Sequence, residues 1–286
     1  MSYSKLSYSL TKKITKKEKK ENGIYFTPPS TIQKNIDLLK IYMPTVNSIL
    51  EPSCGSGEYV NYLNNHYKNK ELTAIEYNKQ IYDDIKLNIP KNVNLINGDY
   101  LKYDNDKLYD LIIGNPPYYV MKKKDVSKKY YTYFDGRPNI FILFIIKSIS
   151  LLKENGILSF ILPKNFLNSL YYDKTRKYIN ENCKILHLVE CNDKYIETKQ
   201  QTVIFIIRKI KSSNKKFILS KQGYTIFGEP TIISNLNKLY VNSNSLSELG
   251  FNVSVGNVVW NQHKSILTND TTKTRLIYSS DIIDNN

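Results

Sequence analysis

The sequence predicts an α/β protein: one doubly wound, mostly parallel sheet, followed by part of an accessory domain. Three observations carry that expectation. Short β-branched, apolar runs alternate with helix-like stretches as far as Leu162, the pattern of strands joined by crossover helices. The first run ends in Glu51-Pro52-Ser53-Cys54-Gly55-Ser56-Gly57, a glycine-bearing turn that leads straight into a helix. The fourth run, Tyr109 to Gly114, ends in Asn115-Pro116-Pro117-Tyr118, where two prolines force the chain to leave the sheet extended. Both turns fall at carboxyl ends of strands, where open α/β sheets hold ligands. A chain of 286 residues can bury one such core and part of a second.

Residues 1–22 are polar and rich in lysine (Lys12, Lys13, Lys16, Lys17, Lys19, Lys20). They read as a mobile basic arm, either helical on a phosphate backbone or a plain solvated tail. The extended segment Tyr25-Phe26-Thr27-Pro28-Pro29 follows, with Ser30 or Thr31 capping a helix to about Tyr42. Strands are expected at Val46–Leu50, Leu72–Ile75, Val93–Ile96, Tyr109–Gly114 and Ile157–Leu162. The second ends at Glu76, which could accept both hydroxyls of a ribose or simply charge the start of the next helix. The third is closed by Gly98-Asp99-Tyr100, where Asp99 could accept from an adenine amino group or make a local turn. The loop from Tyr119 to Pro138 interleaves Lys122, Lys123, Lys124, Lys128 and Lys129 with Tyr130, Tyr131, Tyr133 and Phe134. That mixture suits phosphate contact and base stacking; a disordered surface loop is the competing reading. An apolar helix, Asn139 to Lys153, should stop at Asn155-Gly156. A helix from about Tyr172 to Asn180 then leads to strands at Ile185–Val189 and Thr202–Ile210, a pair with room for an antiparallel member. Between them the polar stretch 192–201 holds Tyr195. The body of the fold is thus placed at residues 23–211. Residues 217–286, with a hairpin at Phe217–Phe227, a helix at Thr231–Tyr240 and a strand at Phe251–Trp260, are read as the incomplete start of an accessory domain.

Forty-one basic residues against 26 acidic give a formal charge of +15, which points to a polyanionic partner and salt-sensitive binding. A lysine-rich solvated surface would carry the same charge. The most apolar helix, Asn139 to Leu152, is too short to span a membrane and contains Lys147. The lysines at the N-terminus have no apolar core behind them, which excludes a secretory signal there. Three cysteines, Cys54, Cys183 and Cys191, offer neither metal spacing nor an even disulfide set, so a reducing, cytoplasmic compartment is expected and no metal site.

The tetrapeptide at 115–118 sets an amide, a carbonyl without a local donor and an aromatic ring on one stiff peg. That suits the grip of an exocyclic amine on a planar ring; a proline-stiffened turn is the plain alternative.

In their order, Tyr25-Phe26-Thr27-Pro28-Pro29, Glu51 to Gly57, Glu76, Asp99, Asn115-Pro116-Pro117-Tyr118 and Asn139-Ile140-Phe141 resemble the S-adenosylmethionine-dependent amino-methyltransferases of DNA, specifically the γ-ordered adenine enzymes of restriction–modification systems. The resemblance covers roughly residues 22–210. It implies the Rossmann-like fold of class I methyltransferases and methyl transfer to the N6 amino group of a flipped-out adenine in double-stranded DNA. It implies that Tyr25, Thr27 and Pro28, with Glu51, Ser53, Gly55 and Gly57, hold the methionine half of S-adenosyl-L-methionine. Glu76 would take the ribose, Asp99 and Tyr100 the adenine, and Phe141 or Ile140 its face. Asn115 and Pro116 would hold the target amine, with Tyr118 and Tyr195 stacking on the target base. The five lysines of the 119–138 loop would meet the DNA backbone. RNA adenine or protein glutamine methylation stays open beside this, because the same peg grips a side-chain amide. So does a non-catalytic nucleic-acid-binding subunit. A cognate endonuclease or a chain that completes target recognition would be a natural partner.

Overall fold

The computed structural model describes residues 3–193, 195–198, 200–213, 215–252 and 263–277. The chain divides into two compact units, residues 1–238 and 239–286. The first is built on a seven-stranded sheet in the order β3-β2-β1-β4-β5-β7-β6. Its strands are β1 (Ser48–Glu51), β2 (Glu71–Glu76), β3 (Asn94–Asn97), β4 (Tyr109–Gly114), β5 (Leu152–Pro163), β6 (Lys184–Cys191) and β7 (Thr202–Arg208). The first five run parallel, and β7 is antiparallel to both β5 and β6. The doubly wound, mostly parallel expectation holds, including the antiparallel member near its end. The order reverses between β1 and β4, so the two turns singled out in the sequence flank one switch point.

Alternating side chains feed two cores, one on each face of the sheet. Leu50, Ile112, Leu158, Phe160 and Leu162 face one side, and Ile49, Leu111, Ile113, Ile157 and Ile161 the other. A sheet covered on both faces needs continuous apolar strands, which is why these runs lack the polar alternation of a half-exposed sheet. One face is covered by α6 (Ile140–Leu151), in which every residue from Ile140 to Ile149 is buried, and by α7 (Asp173–Asn182). The other is covered by α3 (Pro29–Leu39), α4 (Glu58–His66) and α5 (Lys79–Ile85).

Several boundaries differ from expectation, each for a packing reason. Residues 3–22 are not a free arm: they form α1 (Lys5–Lys13) and α2 (Lys16–Asn22), and Ser7 and Leu10 of α1, with Ile14 that caps it, are buried against the α3–α5 face. Helix α6 stops at Leu151 instead of running to Lys153, because Leu152 already pairs with Tyr109 of β4. Asn155, at φ +64, is then a bend within β5. The hairpin of β8 (Ile218–Lys221) and β9 (Tyr224–Phe227) belongs to the first unit, so that unit extends past residue 211 to Lys238. The tie is a buried polar hub. Arg176 donates to the carbonyls of Phe166, Ser169 and Thr225, while the Thr225 amide donates to Asp173. Phe227 stacks on Phe205 of β7.

The loop 119–138 is anchored, with Val126, Tyr130 and Phe134 in the core below α6. Helix α8 (Pro230–Leu239) buries Ile233. Residues 239–252 and 263–277 of the second unit carry turns and one 3₁₀ segment, Lys264–Ile266, and expose Leu246, Leu249 and Phe251. The strand expected at Phe251–Trp260 lies, beyond its first two residues, outside the described residues.

Candidate active site

At the carboxyl ends of β1 and β4 a cavity of about 30 Å³ is lined by Tyr25, Phe26, Thr27, Glu51, Ser53, Gly55 and Asn115, with Ser56, Glu58 and Tyr59 at its edge. The segment before α3, the glycine turn and the proline-braced tip therefore meet. Ser53 Oγ donates to the Asn115 carbonyl at 3.1 Å and joins the two turns directly. Gly55 sits at φ +51, and a Cβ there would lie 3.3 Å from the Phe26 ring. Only glycine lets the turn pass beneath that ring in this backbone conformation.

Two carboxylates give the site its electrostatics. Glu51 is 2% exposed, and its Oε2 has no hydrogen-bond partner among the described residues. Burial first, and the neighbouring Glu76 charge second, push its carboxyl well above the usual range. Glu76 accepts from the Gly55 amide at 2.8 Å and from the Asn78 amide at 2.7 Å. Burial outweighs those bonds, and its carboxyl is pushed up to about 7. A buried acid with an unused oxygen beside a second acid makes a seat for a cation that also brings donors.

The Asn115 amide is oriented by its neighbours. Its Nδ2 donates to the Tyr25 carbonyl at 3.3 Å, and its Oδ1 accepts from the Tyr118 hydroxyl at 2.6 Å. The same hydroxyl lies 2.7 Å from the Ile161 carbonyl, so one proton is shared between two acceptors. Oδ1 keeps a second lone pair for an incoming donor. Burial pushes the Tyr118 phenol well above its ordinary pKa. Tyr195 and Tyr59 lie near enough to Tyr118 to act on that phenol electrostatically, so the two expected stacking residues share one neighbourhood. Tyr195 is itself buried, and its hydroxyl has no partner among the described residues. Pro116 is buried behind the tip.

Other expected ligands sit apart from the cavity. Pro28 caps α3 and Gly57 caps α4. Asp99 accepts from the Leu101 amide at 2.9 Å, the local turn role weighed for it above. Tyr100 is 2% exposed and its hydroxyl bonds Ser148 Oγ at 2.8 Å. Phe141 is fully buried against Tyr118, Phe166 and Tyr172. The Tyr100 and Phe141 side chains therefore belong to the core and line no part of this cavity. Conversely, Glu58 and Tyr59 line the cavity although neither was picked out as a ligand; both directly follow the glycine turn already quoted.

The five loop lysines, Lys122, Lys123, Lys124, Lys128 and Lys129, are all exposed. Among the described residues none of them pairs with a carboxylate; Lys123 and Lys129 instead lie over the rings of Tyr131 and Tyr130, at 4.9 and 5.2 Å.

The chain is similar to known proteins in sequence and in fold. The type II methyltransferase M.CvrRI of Paramecium bursaria Chlorella virus XZ-6E is 29% identical over 266 residues, covering 87% of this chain and 65% of that protein. The modification methylase CviBIII of Paramecium bursaria Chlorella virus NC1A is 33% identical over 180 residues, 62% of this chain and 47% of that protein. The chain thus spans about half to two thirds of these relatives' lengths. Among solved structures, a Listeria monocytogenes protein described as a class I S-adenosylmethionine-dependent methyltransferase superposes with a TM-score of 0.60 at 17% identity, over 83% of this chain and 75% of that one. The DrdV–DNA complex superposes with a TM-score of 0.58 at 16% identity, over 82% of this chain and 31% of that one. These two show a shared fold, that of class I methyltransferases. The Eco57I restriction-modification methylase pattern matches residues 3–196, more than half of the chain, and the chain belongs to that family.

Proposed function

We propose that this chain transfers a methyl group from S-adenosyl-L-methionine to the N6 amino group of an adenine turned out of double-stranded DNA. One observation carries the reading: the Asn115 amide borders the same cavity as buried Glu51, whose Oε2 has no hydrogen-bond partner among the described residues. A sulfonium cofactor with an amino-acid end brings the cation and the donors that Glu51 lacks. Glu51, Ser53 and Gly55 would hold that end, with Tyr25 and Thr27 opposite, and Glu76 would accept from its ribose. When bound, the cofactor supplies an electrophilic methyl group.

The chain's own residues supply the rest. An adenine amino nitrogen shares its lone pair with the ring and is a weak nucleophile. Asn115 Oδ1, through its free lone pair, and the Pro116 carbonyl accept its two hydrogens and localise that lone pair. The same two oxygens stabilise the positive charge that develops as the new N–C bond forms and the methyl's bond to sulfur breaks, and the nitrogen then gives up one of these protons to water. Tyr118 holds Oδ1 in place, and its ring with Tyr195 supplies aromatic surface for the extruded base. The unpaired loop lysines meet the phosphates.

Asn115→Ala tests the assignment. Transfer from labelled cofactor to duplex DNA should fall by about 10²–10³-fold, the size of losing one preorganised polar contact in a transition state. Cofactor affinity should stay within a few-fold of wild type. Activity lost in step with cofactor binding would refute the role given to Asn115. Parallel assays with RNA and with a glutamine-bearing protein substrate separate the alternative acceptors. An intact chain that binds DNA and cofactor but labels none of them is a binding subunit.

A further inference from the structure

The cavity is closed in an instructive way. At about 30 Å³ it has room for roughly two waters, whereas small-molecule sites run to about 300–1,000 Å³. Helix α1 shuts on two of its lining residues. Ser7 Oγ lies 2.5 Å from Glu58 Oε1 and 2.9 Å from Ser56 Oγ, and the Ser4 amide donates to Glu58 at 3.1 Å. Helix α2 continues the enclosure, with Glu18 accepting from Asn78, the residue beside Glu76 that caps α5. Lys13 of α1 pairs with Asp84 of α5.

The strongest of these contacts belongs to Lys19. Its ammonium, 4% exposed as a residue, donates to the Thr11 carbonyl at 2.6 Å and to Glu197 at 2.6 and 2.8 Å. All three donors are used, and Glu197 lies two residues from Tyr195. The C-terminal end of α2 is as closely engaged. Gly23, at φ +64, lies so near the tip that a Cβ there would meet the Tyr118 amide nitrogen at 2.5 Å.

We propose that α1 and α2 form a strap that must lift to admit the cofactor, and that Lys19 is a positioning residue latching the strap to the segment that carries Tyr195. This rests on the cofactor reading of the cavity. The strap's bonding is mixed: Leu10 and Ile14 join the core with Tyr3 and Leu6 packed against it, while Ser7 and Lys19 are held by hydrogen bonds that water can replace. Lifting the strap frees Ser56 and Glu58 at the cofactor end. Through Lys19 and Gly23 it also loosens the surroundings of Tyr195 and Tyr118 at the target end. Cofactor occupancy and order at the target-base wall are thereby coupled.

A reducible staple tests the strap. In the full chain, Ser7→Cys with Ser56→Cys replaces hydroxyls 2.9 Å apart, within reach of a disulfide. Association and dissociation of S-adenosylhomocysteine are followed by stopped flow. Oxidation should slow both by at least about tenfold, since only the lifted population exchanges, and dithiothreitol should restore the rates that the same variant shows before oxidation. Lys19→Met should speed dissociation by about 10- to 100-fold, the weight of charge-assisted bonds, and Lys19→Arg should recover part of the loss. Exchange in the oxidised staple as fast as in its reduced form overturns the strap, and an unchanged dissociation rate in Lys19→Met overturns the latch. A wild-type chain that binds no S-adenosylhomocysteine overturns the cavity reading itself, a different failure from either.

Discussion

Two stretches of this chain look alike in sequence and behave as opposites in the fold. Residues 5–22 and 119–138 are both lysine-rich, polar and punctuated by aromatic or aliphatic residues. In the first, Lys13 and Lys19 pair with Asp84 and Glu197 and Lys17 with Glu21 one turn on, while Lys5, Lys12, Lys16 and Lys20 have no carboxylate partner among the described residues. The stretch folds as two helices against one face of the sheet. In the second, none of the five exposed lysines has a carboxylate partner among the described residues, while Val126, Tyr130 and Phe134 anchor the backbone beneath them. Charge density alone therefore does not mark a nucleic-acid surface. What separates the two is how much of the counter-charge the protein supplies itself. Paired lysines serve the fold, and an anchored loop whose lysines are all unpaired is left to attract an external polyanion.

The sharpest way to break that contrast is to neutralise the loop. Replacing Lys122, Lys123, Lys124, Lys128 and Lys129 together by glutamine should reduce duplex affinity on the order of 10³-fold near 0.1 M salt, with the slope of log K against log salt falling by about four. Thermal stability should hardly change, since surface substitutions cost little. An unaltered salt slope, measured by fluorescence anisotropy, would remove the loop from the DNA contact.

The complementary change lies in α1. Leu10 is fully buried, and Leu10→Ala should weaken docking of the two N-terminal helices by about 2–5 kcal/mol. Hydrogen exchange over residues 5–22 would report this as faster amide exchange there, alongside quicker cofactor exchange. The salt slope for DNA should stay at its wild-type value. A changed slope would mean that the helices, and not only the loop, touch phosphate.

How much of this was legible follows from how local each signal is. The glycine turn, Glu76 and the tip at 115–118 act through backbone geometry within a few residues, so their meeting at one switch point could be read from strand order. The helices at 5–22 could not: Leu6, Leu10 and Ile14 make a stripe one residue wide, too thin to stand out among lysines. Phe141 was hard to assign for the contrary reason. Every residue from Ile140 to Ile149 is buried, so α6 has no polar face to orient it, and any of its side chains could have been assigned to a ligand. Tyr100 needed Ser148, 48 residues away, to explain its hydroxyl. The boundary at 211 failed because Arg176 and Asp173 reach the hairpin through backbone carbonyls and an amide, contacts that no residue type announces.

The smallest effect separates the two regions by pH. Glu76, on the side that α2 closes, has its carboxyl pushed up to about 7 by burial. An acid raised above its ordinary value favours folding while protonated. That contribution is whole below pH 4.5 and is lost as pH rises through 7. Binding runs the other way, because ribose hydroxyls need the ionised carboxylate as acceptor. Cofactor affinity should therefore climb by up to about tenfold per pH unit below 7 and level off above it. Glu51 lines the cavity with its carboxyl also raised by burial, so Glu76→Gln should remove the inflection near 7 and leave any dependence due to Glu51. DNA affinity of the cofactor-free chain, set by unpaired ammonium groups, should show no inflection there. Calorimetric titration between pH 6 and 8 reads both, and a flat cofactor profile in the wild-type chain would take Glu76 out of the site.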